Sequence, residues 1–151
     1  MIQRIQTLYL LLVGILMTVV LFYPLLVFQT AGTFYEMDAV QLKEIGNEQL
    51  SFSTFGLFIV GAVAALIALV TIFLYKKRLI QIRLTIFNTL LIIGFILFVF
   101  YLGYSLGKQL NAEWHPTLMV SFPVICLLLN YLAIRGIGAD EALIRSLNRL
   151  R

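Results

Sequence analysis

LTIFNTLLIIGFILFVFYLGYSL, Leu84–Leu106, carries no charged residue from end to end. The hydrocarbon core of a bilayer is about 30 Å thick, and a helix rising about 1.5 Å per residue needs about 20 residues to cross it. This run is long enough. Lys76, Lys77, Arg78 and Arg83 stand before it and Lys108 after it, so charge marks both ends. Working outward, Thr54–Tyr75 and Leu8–Phe28 meet the same requirement, while Thr117–Ile134 is the shortest of the four and contains Pro123. The apolar runs are continuous, whereas a membrane strand alternates apolar and polar residues over about 10 positions. A helix also satisfies its own backbone amides inside lipid. Four helical spans follow.

Composition points the same way. Of the 151 residues 62% are hydrophobic and 12% charged, with a mean hydropathy of +1.01. A soluble domain has about 45–50% apolar and about 25% charged residues. These figures exclude a soluble globule, a disordered chain and a nucleic-acid binder. The chain therefore reads as all-α. Residues 1–151 form one membrane domain, a four-helix transmembrane bundle with a short amphipathic cytoplasmic C-terminal helix. The first apolar run exceeds the core of a secretory signal, and no small-x-small site follows Phe28, so it reads as a retained span. Cys126 is the one cysteine, which excludes an intrachain disulfide and a cysteine-based metal cluster.

The basic residues set the orientation. Arg4 precedes the first span, Lys76, Lys77, Arg78 and Arg83 separate the second and third, and Arg135, Arg145, Arg149 and Arg151 follow the fourth. The alternate loops contain only Lys43 and Lys108. Lys and Arg accumulate on the cytoplasmic side, so both termini are expected there. Tyr9, Tyr75 and Tyr131 then make an inner aromatic belt, and Tyr23, Tyr104 and Trp114 an outer one. The net charge of +4 is a by-product of this topology signal. The inner rim is expected to attract anionic headgroups, by about 1 kcal/mol per basic residue close to the surface.

Three segments lie outside the spans. The first outer loop, 29–53, carries Glu36, Asp38, Glu44 and Glu48 against Lys43. It is too small for its own core, and reads as a short helix or ribbon with Phe34, Tyr35, Met37 and Leu42 packed on the bundle. The second, Gly107–Pro116, places Trp114 as an interfacial anchor beside His115. In the tail, 135–151, Asp140 reads as an N-cap, Glu141 favours the first turn, and Arg145, Arg149 and Arg151 favour the last. Leu143, Leu147 and Leu150 form one apolar stripe, and Gly136 and Gly138 would let this helix turn away from the fourth span. Such a helix lies among headgroups or docks into a partner. The outer loop is the other candidate surface for a protein partner.

No Asp, Glu, Lys, Arg or His falls inside the four spans. Ion-coupled carriers and proton relays usually keep such groups at membrane depth. A single histidine excludes bis-histidine haem ligation, and no phosphate loop, nucleophile elbow or zinc-protease motif is present. No catalytic, cofactor-binding or metal-binding residue is assigned. What remains is helix packing. Gly61, Ala64, Ala68, Thr71 and Tyr75 form a small-residue stripe, Gly103 and Gly107 have GxxxG spacing, and Pro123, Cys126 and Asn130 share a face. Thr71, Asn88 and Asn130 all fall about one turn inside the cytoplasmic end. Asn88 and Asn130 are expected to hydrogen-bond between neighbouring spans with Thr71 nearby, for roughly 0.6–2 kcal/mol per contact. The alternative is the floor of a small polar cavity.

Two terminal stretches carry a resemblance: MIQRIQT leading into the first span, and DEALIRSLNRLR, Asp140–Arg151, closing the chain. Together with the four-span layout they resemble a family of small inner-membrane proteins from Bacteroidota, catalogued as a domain of unknown function. Ala142 and Asn148 stand where that family commonly has a basic and an acidic residue. The resemblance implies the bacterial cytoplasmic membrane and transfers no catalytic residue. The favoured function is a non-enzymatic accessory or scaffold subunit of a membrane complex. A transporter or channel component comes second, and a lipid-headgroup enzyme third.

Overall fold

The computed structural model describes residues 2–30, 32–45, 47–75 and 77–149, with backbone only at 2–4, 47–51, 145 and 147–149. Helix α1 spans Ile2–Phe22, α2 Phe55–Phe73, α3 Arg78–Leu110 and α4 Ser121–Arg149. Each contains a segment long and apolar enough to cross a membrane. Apart from Gly103 and Gly107, the buried positions of α3 run Gln81, Thr85, Asn88, Ile92, Phe95, Val99, Leu102, Leu106. Those of α4 run Pro123, Cys126, Asn130, Ala133, Ile137. Alternating steps of three and four give a period of about 3.5, the seam of a bundle packed knobs into holes. Each helix packs on two neighbours in the cycle α1–α2–α3–α4. Outside this seam the side chains are apolar too, as Leu90, Leu97 and Tyr101 illustrate, each exposed by more than half.

Small residues bring the backbones together. A Cβ on Gly61 of α2 would lie 2.5 Å from Leu21 of α1 and 3.0 Å from the Phe95 ring of α3, so three helices meet there. Ala64, Ala68 and Thr71 of the stripe are buried with Gly61, but Tyr75 is half exposed.

The chain is not all-α. Five antiparallel strands, β1 Leu26–Thr30, β2 Thr33–Met37, β3 Gln41–Glu44, β4 Asn47–Ser53 and β5 Glu113–Pro116, form one sheet in the order β4-β3-β2-β1-β5. The first span therefore ends at Phe22, and the apolar residues after Pro24 belong to β1. Leu26 and Phe28 face the core, fully buried, while Val27 and Gln29 alternate outward. Gly32, at φ +112°, makes the turn into β2. The Asp38 carboxylate accepts from the backbone N–H of Val40 and of Gln41, at 2.9 and 2.8 Å, and turns the chain into β3. Met37 and Leu42 are buried, Tyr35 packs partly against the core, and Phe34 stays exposed.

Three seams join the sheet to the bundle. The Thr117 hydroxyl donates to the Pro24 carbonyl at 2.6 Å, and its backbone N–H to that of Leu25 at 2.9 Å. The first turn of α2 takes its partners from the β2–β3 turn: Phe58 N–H donates to the Ala39 carbonyl, and the Thr54 hydroxyl to that of Asp38. The Phe58 bond satisfies one of the amides that a helix start leaves free. The third seam is apolar. A Cβ on Gly103 or Gly107 would lie 3.1 or 2.9 Å from the Trp114 ring, so the GxxxG pair on α3 receives Trp114 of β5 rather than another helix.

The separate C-terminal helix is also corrected, since α4 continues unbroken through Gly136 and Gly138. A glycine inside a helix costs only about 1 kcal/mol, and Gly136 serves a close approach. A Cβ there would lie 3.1 Å from Gln6 Cγ of α1. Asp140 caps nothing, because it sits inside the helix and accepts a hydrogen bond from Gln6 Nε2 at 3.0 Å.

Candidate functional site

The bundle has a sheet end and an open end, and the inward-facing polar residues gather toward the open one. Contacts between antiparallel neighbours order them by depth: Gln6 with Asp140, Val13 with Cys126, Gly14 with Leu69, and Gly61 with Phe95. Extending this register puts Gln6 and Gln81 nearest the open end. Thr71, Thr85 and Asn130 follow in the next layer, and Asn88 lies about one helical turn deeper, level with Cys126. Beyond Asn88 the interior is apolar, with Met17, Ala64, Ile92 and Phe95 fully buried.

The three residues singled out as interhelical contacts are all interior: Thr71 is 0% exposed, Asn88 1% and Asn130 0%. Thr71 donates its hydroxyl to the Ile67 carbonyl of its own helix at 2.6 Å. Thr85 does the same to Gln81 at 2.8 Å. Neither asparagine has a partner. The side-chain nitrogen and oxygen of both Asn88 and Asn130 are buried without a hydrogen bond, so the expected amide-to-amide bond is not formed. An unmet buried polar atom costs about 1–3 kcal/mol, which makes these two amides the least satisfied part of the interior.

Gln6, Gln81 and Thr85 belong to the same polar file and escaped the sequence reading: Gln6 and Gln81 precede the assigned spans, which began at Leu8 and Leu84, and Thr85 stands at the very start of the second of these. The signal was present in the spacing: Gln81, Thr85 and Asn88 repeat at four and three, continuing the apolar seam of α3. Thr7 and Glu141 also make polar contacts near this end.

At the open end, a groove of about 460 Å³ lies between the start of α3 and α4, lined by Lys77, Arg78, Leu79, Ile80, Glu141 and Ile144. Of the tail stripe, Leu143 is 64% exposed. The side chains of Arg145, Leu147 and Arg149, and all of Leu150, lie outside the described residues. At the sheet end, Glu113 and His115 are exposed on β5, with His115 opposite Val27. Among the described residues, no three His, Cys, Asp or Glu side chains gather as a metal site would require.

The family model described as a domain of unknown function (DUF4293) matches residues 2–150. The chain belongs to this family. The match covers the four helices and the sheet together, so cap and bundle fall in one family unit. A comparison with curated proteins found no match.

Proposed function

We propose that this DUF4293 protein is a non-enzymatic accessory or scaffold subunit of an assembly in the bacterial cytoplasmic membrane, with both termini cytoplasmic. The observation that carries the reading is the chemistry of the interior. Every buried polar side chain among the described residues is uncharged: Gln6, Thr54, Thr71, Gln81, Thr85, Asn88 and Asn130. A bundle without buried acidic or basic side chains among its described residues suits packing and display better than proton or ion chemistry.

Orientation rests on the basic residues. Lys77, Arg78, Arg83 and Arg135 belong to the open end, against Lys43 and Lys108 at the sheet end, which favours a cytoplasmic open end. The groove at Lys77 and Arg78 then meets anionic headgroups, and the exposed Leu143 side of α4 offers a helical surface to a partner. The sheet cap would face outward as a second contact surface.

The test is purification in mild detergent with identification of proteins that co-elute. A stoichiometric partner lost on deleting residues 142–151, which spares the Gln6–Asp140 bond, supports the scaffold reading. A chain that elutes alone and conducts in liposomes supports a channel component instead, a reading favoured only by the two unpartnered asparagines.

A further inference from the structure

We propose that water enters the open-end half of the bundle as far as Asn88 and Asn130, making a blind hydrated crevice floored by Met17, Ala64, Ile92 and Phe95. The proposal rests on the bundle being embedded in a membrane, and on no assumption about a partner. An asparagine amide offers two donors and an acceptor with two lone pairs. Two such groups, each more than nine-tenths buried, meet none of these needs within the protein. Lipid tails cannot meet them either.

The Thr71 and Thr85 hydroxyls already donate to carbonyls of their own helices. Their oxygens remain as acceptors along the same file. Gln6, held by Asp140, and Gln81 continue the polar lining to the open end. Ala68 and Ala133, both fully buried, add only single methyl groups beside this file.

The lining also selects its occupant. Inward of the Asp140 carboxylate at its mouth it contains donors and acceptors but no formal charge, so it suits a small neutral molecule that both gives and accepts hydrogen bonds. An ion would enter without charge compensation. Water in buried polar sites typically makes about three hydrogen bonds, and the two amides with the threonine oxygens supply that number. Past Asn88 the four apolar side chains offer no partner, so the crevice ends there rather than crossing the bundle.

Thiol alkylation in native membranes tests this, because a thiol reacts through its thiolate and needs water nearby. Single cysteines are placed in a Cys126→Ser background at the full chain length: Thr85→Cys and Asn130→Cys in the file, Val99→Cys in the apolar half, and Leu97→Cys on the outer surface. Ser146→Cys, exposed on α4 beyond the open end, gives the aqueous reference rate. Iodoacetamide is small and neutral, so a narrow crevice admits it. Thr85→Cys and Asn130→Cys are expected to react at least ten-fold faster than Val99→Cys and Leu97→Cys, with Thr85→Cys the faster of the two.

File and apolar positions reacting equally slowly would overturn the proposal. Two file positions guard against a local packing fault at either one. Should Leu97→Cys react as fast as Ser146→Cys, the outer surface is in water. The membrane reading then fails, and the crevice with it, for a separate and recognisable reason.

Discussion

Along α3 the inward positions Gln81, Thr85 and Asn88 are polar, whereas the next five, Ile92, Phe95, Val99, Leu102 and Leu106, are apolar. The same 3.5-residue seam thus carries two chemistries. In the sheet-end half, Phe95 closes on Gly61, and Trp114 lies over Gly103 and Gly107 with its ring edge-on to Phe100 at 5.9 Å. In the open-end half, the Gln6–Asp140 bond crosses between helices, whereas Thr71 and Thr85 bond within their own. Packing alone can hold a membrane bundle together where shapes interlock. Polar residues are free to do something else where it does not.

The largest expected effect lies in the apolar half. Phe95→Ala should cost about 3–5 kcal/mol by opening a cavity beneath Gly61, read as loss of thermal stability in detergent. A loss no larger than that of Gln6→Leu would mean the two halves do not differ in how they are held. Trp114→Ala comes next, at about 2 kcal/mol, because the ring is only partly buried. Limited proteolysis should then cut residues 23–53 while the helices persist, and cleavage unchanged from the parent would detach Trp114 from the cohesion of cap and bundle.

Thr117→Val removes the hydroxyl that donates to Pro24 and should cost about 1–1.5 kcal/mol. Denaturant titration against the parent measures it, and an unchanged midpoint would place the strength of that seam in the backbone bond to Leu25 alone. The smallest effect is the most diagnostic for the open half. In the same titration Asn88→Ala and Asn130→Ala should each change stability by no more than about 1 kcal/mol, because neither amide has a protein partner to lose. A loss of about 2 kcal/mol or more from both would restore the direct pair that their position in sequence suggested.

Several elements were legible in advance. The four helical cores and the clusters of basic residues follow from local hydropathy and charge. Met37 and Leu42 were placed against the bundle, although as part of a short helix or ribbon. The sheet was missed at its first strand: Leu25–Phe28 extends the apolar run of α1, and only Pro24 punctuates it. Gly32, Asp38 and the alternation after Gly32 were turn and strand signals. Each strand is only four to seven residues long, so its alternation is a weak signal by itself. Asp140 was read as a helix start because its role depends on Gln6, 134 positions away in sequence.

Hydropathy is a property of a segment and its solvent, so the residues alone settled that four helices are long and apolar enough to cross a membrane, and where their charged ends fall. Which face of each helix turns inward was another matter. In lipid the outer face is as apolar as the inner one, so periodicity barely separates Leu97 from Val99 or Leu90 from Ile92. That choice, the strand partners in the cap, and the isolation of two asparagine amides at the centre depend on contacts between residues far apart in sequence, and only the packed chain decides them.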